Sequence, residues 1–199
     1  ALRGYANSIL SSSVIFSAGM NPRLYGYIAK FDDFFPDKNG NIKKKIVLKV
    51  SDFRSAMIQG KFLAKKGLWV SEYRIESGLN CGGHVFPSNG QLLPVLLKEI
   101  HEKREQLTES FKPLIQKYYE KMGLDSPETS INHTPLITVQ GGIGTSGEIE
   151  RLQRDFSIDR VGVATPFLLV PEVTCVEPTT FDKLKNAEES DLYLSDVSP

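Results

Sequence analysis

Apolar and polar positions along this chain alternate between two periods. Short runs rich in β-branched residues fall at 12–17, 46–50, 68–75, 136–139 and 160–164, and each ends in glycine, proline or a small polar residue. Between them, the spacing turns helical. Residues 23–31 suit a short helix after Pro22. After Ser51 or Asp52, which can cap a helix, Ala56, Ile58, Gln59, Phe62 and Leu63 form one mostly apolar face that Gly67 closes. Residues 91–100 are helical in pattern, and charged helix formers continue to Lys121 with Leu107, Phe111, Leu114, Ile115 and Tyr118 on one face. Pro113 predicts a break there, so two helices are expected, the second an insertion. In the segment 148–156, Ile149, Leu152 and Phe156 share a face, with Ser146 the expected N-cap and Thr145 the alternative. Residues 181–187 suit a last short helix.

Strands that alternate with helices imply parallel βαβ units of α/β class. Five of them are too few for a complete eight-fold barrel, which takes about 250 residues. The chain is therefore expected to be either most of the second half of a barrel or a complete small open sheet. Residues 1–171 form the β/α part, with a helical insertion at about 101–130, and 172–199 form a polar extension. The opening Ala1 and the polar end suggest an excerpt of a longer protein.

Charge narrows the partners. Twenty-four basic residues balance twenty-four acidic ones, which argues against nucleic acid and against an anionic membrane surface. No apolar run reaches the length of a membrane span. Cys81 and Cys175 make neither a disulfide framework nor a metal-type spacing, and the three histidines are far apart, so no metal is expected and a reducing cytoplasm is the default location. The expected partner is a small-molecule substrate, and a homo-oligomer is compatible with this composition.

The chemistry concentrates at strand ends, where ligands of α/β proteins collect. The fourth strand runs into Gly141-Gly142-Ile143-Gly144 and the fifth into Gly162-Val163-Ala164-Thr165. Two loops with unhindered amides at adjacent strand ends can hold a phosphate. The spacing is not that of a dinucleotide fingerprint. The third strand ends in a stretch that includes Cys81-Gly82-Gly83-His84, and a histidine there titrates near neutrality, suited to proton transfer. Cys81 is a weaker candidate as a nucleophile. Of Glu72 and Glu76 on the third strand, one could point into a barrel as a base while the other is solvated or paired.

The run Gly78-x-x-x-Gly82-Gly83-His84 resembles the flavin-dependent nitronate monooxygenase family (2-nitropropane dioxygenase-like), at the end of that family's sixth barrel strand. Ser17 to Pro22 is similar to the fourth-strand end. Lys49-Val50-Ser51 likewise resembles the family where a strand ends, and Phe62 to Gly67 where the next begins. Gly141-Gly142-Ile143 is similar to the seventh-strand Gly-Gly-Ile, and Thr165-Pro166-Phe167-Leu168 to an eighth-strand Gly-Thr-x-Phe-Leu. Order and spacing agree from about Val14 to Glu172, the insertion apart. The resemblance implies the carboxyl-terminal part, about strands four to eight, of an FMN-binding (β/α)8 TIM barrel. Ser77, Gly82 and Gly83 would then lie against the flavin, Gly142 with Gly162, Val163, Ala164 and Thr165 would hold the phosphate, and His84 would be the catalytic histidine. Ser77 stands where the family commonly has glutamine, and Ala164 where it commonly has glycine.

The implied activity is an FMN-dependent monooxygenase that oxidises a small anionic carbon acid with dioxygen as acceptor. Two alternatives stay open: another FMN-dependent dehydrogenase, reductase or phosphate-ligand barrel enzyme, and a barrel-derived binding protein without turnover.

Overall fold

In the computed structural model, which describes residues 1–76, 92–125, 134–141, 143–163 and 165–191, five strands lie side by side in the order in which they occur along the chain. The elements are α1 (Leu2–Ala6), β1 (Ser12–Phe16), α2 (Pro22–Ile28), β2 (Lys44–Val50), α3 (Phe53–Ala64), β3 (Val70–Glu76), α4 (Leu92–Lys103), α5 (Gln106–Glu109), α6 (Lys112–Met122), β4 (Leu136–Gln140), α7 (Ser146–Phe156), β5 (Arg160–Gly162), α8 (Thr165–Leu168) and α9 (Pro178–Asn186). Every pairing is parallel, and the sheet is a curled half-barrel. Sequential order has a topological consequence. Right-handed crossovers that always step in one direction put every helix on the same face, whereas a doubly wound sheet reverses its order and covers both. This winding is compatible with the partial barrel, the first of the two architectures expected.

The helix-covered face is apolar. Ile46, Leu48 and Val50 of β2, Tyr73 and Ile75 of β3, and Ile137 and Val139 of β4 are buried in one cluster with Tyr25, Ile28, Ala56 and Leu63 from α2 and α3. Strand alternation sends the intervening residues to the other face. That face includes Ile15, Val47 and Leu136, but most of its side chains are polar or charged: Lys49, Glu72, Arg74, Glu76, Thr138, Gln140 and Arg160.

Local chemistry sets the element ends. The Asn21 side chain accepts from Leu24 N–H at 3.0 Å, with Pro22 pre-set for the first turn. Of the two cap candidates before α3, Asp52 is the one that acts, accepting from Ser55 N–H at 2.6 Å. Thr145, not Ser146, caps α7, because Glu148 three residues later completes a capping box with it. Pro113 does not break a helix. It sits in the first turn of α6, where no backbone donor is lost, and the chain bends earlier, between Lys103 and Lys112, around the single turn of α5. The segment therefore holds three helical pieces rather than two. β5 ends at Gly162, shorter than the expected 160–164, and Thr165 to Leu168, expected to break it, form a helical turn.

Residues of the expected insertion belong to the core. Leu107, Phe111, Ile115 and Tyr119 are buried, and α5 and α6 pack on α3. Gly60 makes that approach possible. A Cβ on it would fall 2.6 Å from the Phe111 ring and against the Tyr73 hydroxyl. Gln59, one residue earlier and buried, joins three elements: it accepts from the Tyr25 hydroxyl at 2.5 Å and donates to the Ala18 carbonyl at 3.2 Å. At the amino end of the sheet, the fully buried Lys44 donates to the carbonyls of Ser8 and Leu10 at 3.0 and 2.8 Å and lies over the Tyr5 ring. One ammonium thus fastens the first ten residues to β2.

The fit around Gly60 yields a measurable expectation. Gly60→Ala should lower stability to urea by about 1–3 kcal/mol, as overpacking does, despite alanine's better helix propensity. A stability equal to or above that of the parent would show that Phe111 is not held against α3.

Candidate functional site

The carboxyl ends of the strands meet along one register line. Glu76 of β3 stands opposite Gln140 of β4, and Gln140 opposite Gly162 of β5. Glu76 is 2% exposed. A carboxylate so far out of water requires compensation, and it has a cation and an amide: Lys49 Nζ lies 2.9 Å from Oε1, and Gln140 Nε2 donates to the same oxygen. Gly162 leaves room for this arrangement. A Cβ there would come within 2.9 Å of Gln140 Cβ.

A second layer lies one pleat below. Lys49, Arg74, Thr138 and Arg160 align across β2 to β5. Arg74 donates to Glu72 Oε1 from Nε at 3.0 Å and Nη2 at 2.7 Å, and Arg160 Nη1 is 3.7 Å from Glu72 Oε2. Glu72 and Glu76, of which one was expected to point into a barrel and the other to be solvated or paired, are not separated in this way. Four residues apart on a strand they share a face, and both are buried and ion-paired.

The two glycine loops are neighbours as well. Gly141 takes a positive φ of 90° and its N–H donates to the Gly162 carbonyl at 3.4 Å. Neither Gly141 nor Gly162 carries a side chain, which leaves the backbone of both strand ends uncovered at this point. The next amides are already engaged. Gly144 N–H and Thr145 N–H both donate to Glu148 Oε2, at 2.8 and 2.9 Å, so the amino terminus of α7 already holds the carboxylate of its own helix. Those two bonds, the Gly144 one foremost, hold the Glu148 carboxyl below the usual carboxylate range.

Other expected residues are placed in part. Val163 is exposed and Thr165 begins α8. Ser77, Cys81, Gly82, Gly83, His84, Gly142 and Ala164 lie outside the described residues. The Lys49, Glu76 and Gln140 cluster is absent from the expectations drawn from sequence. Its signal was the alternation Glu72, Arg74, Glu76, which puts charge on one face of a strand whose other face is apolar. Among the described residues no group of histidine, cysteine or carboxylate side chains could hold a metal, and no helix is long and apolar enough to cross a membrane.

No protein-family model matches the chain, and no curated protein or solved structure is significantly similar to it.

The capping box makes a pH prediction. A carboxyl lowered on folding adds stability that is present above its unfolded value and lost as pH falls through its folded one. On acidification from about pH 5, the parent should therefore lose more stability than Glu148→Gln, which keeps an oxygen for the amides but cannot titrate. Urea denaturation at a series of pH values measures this, and identical slopes for the two proteins would count against the capping role.

Proposed function

We propose that the chain is the carboxyl-terminal part of an FMN-binding (β/α)8 barrel, an oxidoreductase similar to nitronate monooxygenases. The observation that carries this reading is the meeting of Gly141 and Gly162 at neighbouring strand ends of a sequentially wound parallel sheet. Barrel enzymes commonly hold phosphate with the loops after their last two strands and a short helix that follows, and α8 follows β5 directly. Closure by further strands is supported at both edges of the sheet. Ile15 on β1 is 48% exposed, and Val163, Phe167, Leu168, Leu169 and Val170 form an open apolar run after β5.

In this reading Gly141, Gly142 and residues 162–165 hold the FMN phosphate, and Ser77, Gly82 and Gly83 lie against the flavin. When bound, FMN supplies the two-electron acceptor for a small anionic carbon acid and passes the electrons to dioxygen. His84 takes a proton from a carbon acid that enters protonated, or stabilises the anion that develops when the substrate enters as its conjugate base.

One observation favours a second reading, a barrel-derived binding protein without turnover: Glu148 fills the amides of the loop after β4 that a phosphate would otherwise take.

The full-length protein carrying this chain should show flavin absorbance bands or quench FMN fluorescence on titration, and Gly142→Val or Thr165→Ala should weaken that binding. His84→Ala should keep the flavin and lose oxidation of a nitronate. Flavin binding with no turnover in either form would favour the second reading, and a colourless protein that leaves FMN fluorescence unquenched would sink the first.

A further inference from the structure

The outer surface of the helical layer carries a groove that the flavin reading does not use. It is an open cavity of 440 Å³ between the ends of α2 and α3 and the second half of α6. Its floor is a stripe on α6: Leu114, Tyr118 and Met122 are spaced by four residues and so lie on successive turns of one face. Leu114 and Tyr118 are half-buried, while Met122 is 55% exposed. Lys117 and Lys121, also four apart, run along one side of the stripe. Lys65 and Lys66, just past the end of α3, form the opposite wall.

The charge here is one-sided. Among the described residues no carboxylate lines the groove and none of these four lysines is ion-paired. Lys66 lies over the Phe62 ring, 5.2 Å from its centroid, which leaves its charge uncompensated by an anion. Glu120 shares α6 but accepts from Gln116 at 2.9 Å, one turn away on its own helix. In a chain whose charges balance at twenty-four each, this is a local excess. Helix dipoles explain part of it, since Lys65 and Lys121 sit at helix carboxyl ends, where cations are favoured. They do not explain Lys117, a turn earlier. Nor does the covering of apolar surface by lysine stems, because Met122 is left open.

The geometry points to a docking groove for an amphipathic helix of a partner protein, one whose apolar stripe is flanked by aspartate and glutamate. The floor from Leu114 to Met122 is about 12 Å long, the length of two helical turns. A stripe with four-residue spacing offers the ridges into which a second helix packs. Positive rims on both walls select acidic flanks and reject basic ones.

The test is fluorescence anisotropy of a labelled helical peptide of about five turns, with leucines at every third and fourth position and glutamates beside them, titrated with the full chain. The peptide should bind, and added salt should weaken it. A matched peptide with lysines in place of the glutamates should not bind. Lys117→Glu combined with Lys121→Glu should weaken binding at least about tenfold, and Lys65→Glu on the other wall should weaken it independently. Lys185→Glu on α9 should leave it unchanged. No binding, equal binding of the basic peptide, or binding indifferent to both sets of substitutions would overturn the assignment. So would concentration-dependent self-association that the peptide cannot displace, which would put a second copy of the chain in the groove.

Discussion

Winding in one direction is the constraint from which the rest of the molecule follows. Because each strand joins the sheet beside the one before it, the described crossover helices fall on the same face. The two faces then obey different rules. Under the helices, burial is apolar and close-packed, to the point that α3 needs a glycine at position 60 for Phe111 to approach. On the inner face the strands supply charge: Glu72 with Arg74, and Glu76 with Lys49 and Gln140. Each carboxylate there depends on a cation from its own or a neighbouring strand. The register of the sheet is thus tied to electrostatics as well as to hydrogen bonding, since a slip of β4 by one residue would move Gln140 away from Glu76.

Much of this was legible from periodicity. The five strands, their parallel class and the helices after β2 and β4 follow from apolar spacing and capping residues, since those signals are local. The misplacements share a cause, which is that neighbours in space decide among local options. Ser146 and Thr145 are both good caps, and Glu148 chooses between them. Pro113 reads as a break until the preceding residues are seen to turn first. Gly162 reads as a ligand-facing glycine, yet its lack of a side chain also accommodates Gln140 from the adjacent strand. Of the candidate site's described part, the two glycine loops and the carboxylates Glu72 and Glu76 were legible, but not their partners. The ion-paired cluster beside them depends on which residues stand opposite one another across β2, β3 and β4, and no single segment contains that information.

The helical segment between β3 and β4 shows how such a fold gains surface. One face of α5 and α6 is spent on the core through Leu107, Phe111, Ile115 and Tyr119, which binds the segment to α3. The opposite face is thereby held rigid while remaining in solvent. A rigid scaffold under an exposed surface favours recognition, because little ordering entropy is left to lose on contact.

The burial of Lys44 has an evolutionary consequence. Its strongest contacts are with the main-chain carbonyls of Ser8 and Leu10, atoms that every amino acid possesses. The tether therefore constrains the path of residues 8–10 more than their side chains, although the Ser8 hydroxyl and the Tyr5 ring also meet the ammonium. Side chains at 9 and 10 can drift while the segment stays fastened. Position 44 cannot, because only a long cationic side chain reaches both carbonyls from the floor of β2. Variation should accumulate on one side of this contact and be purged on the other.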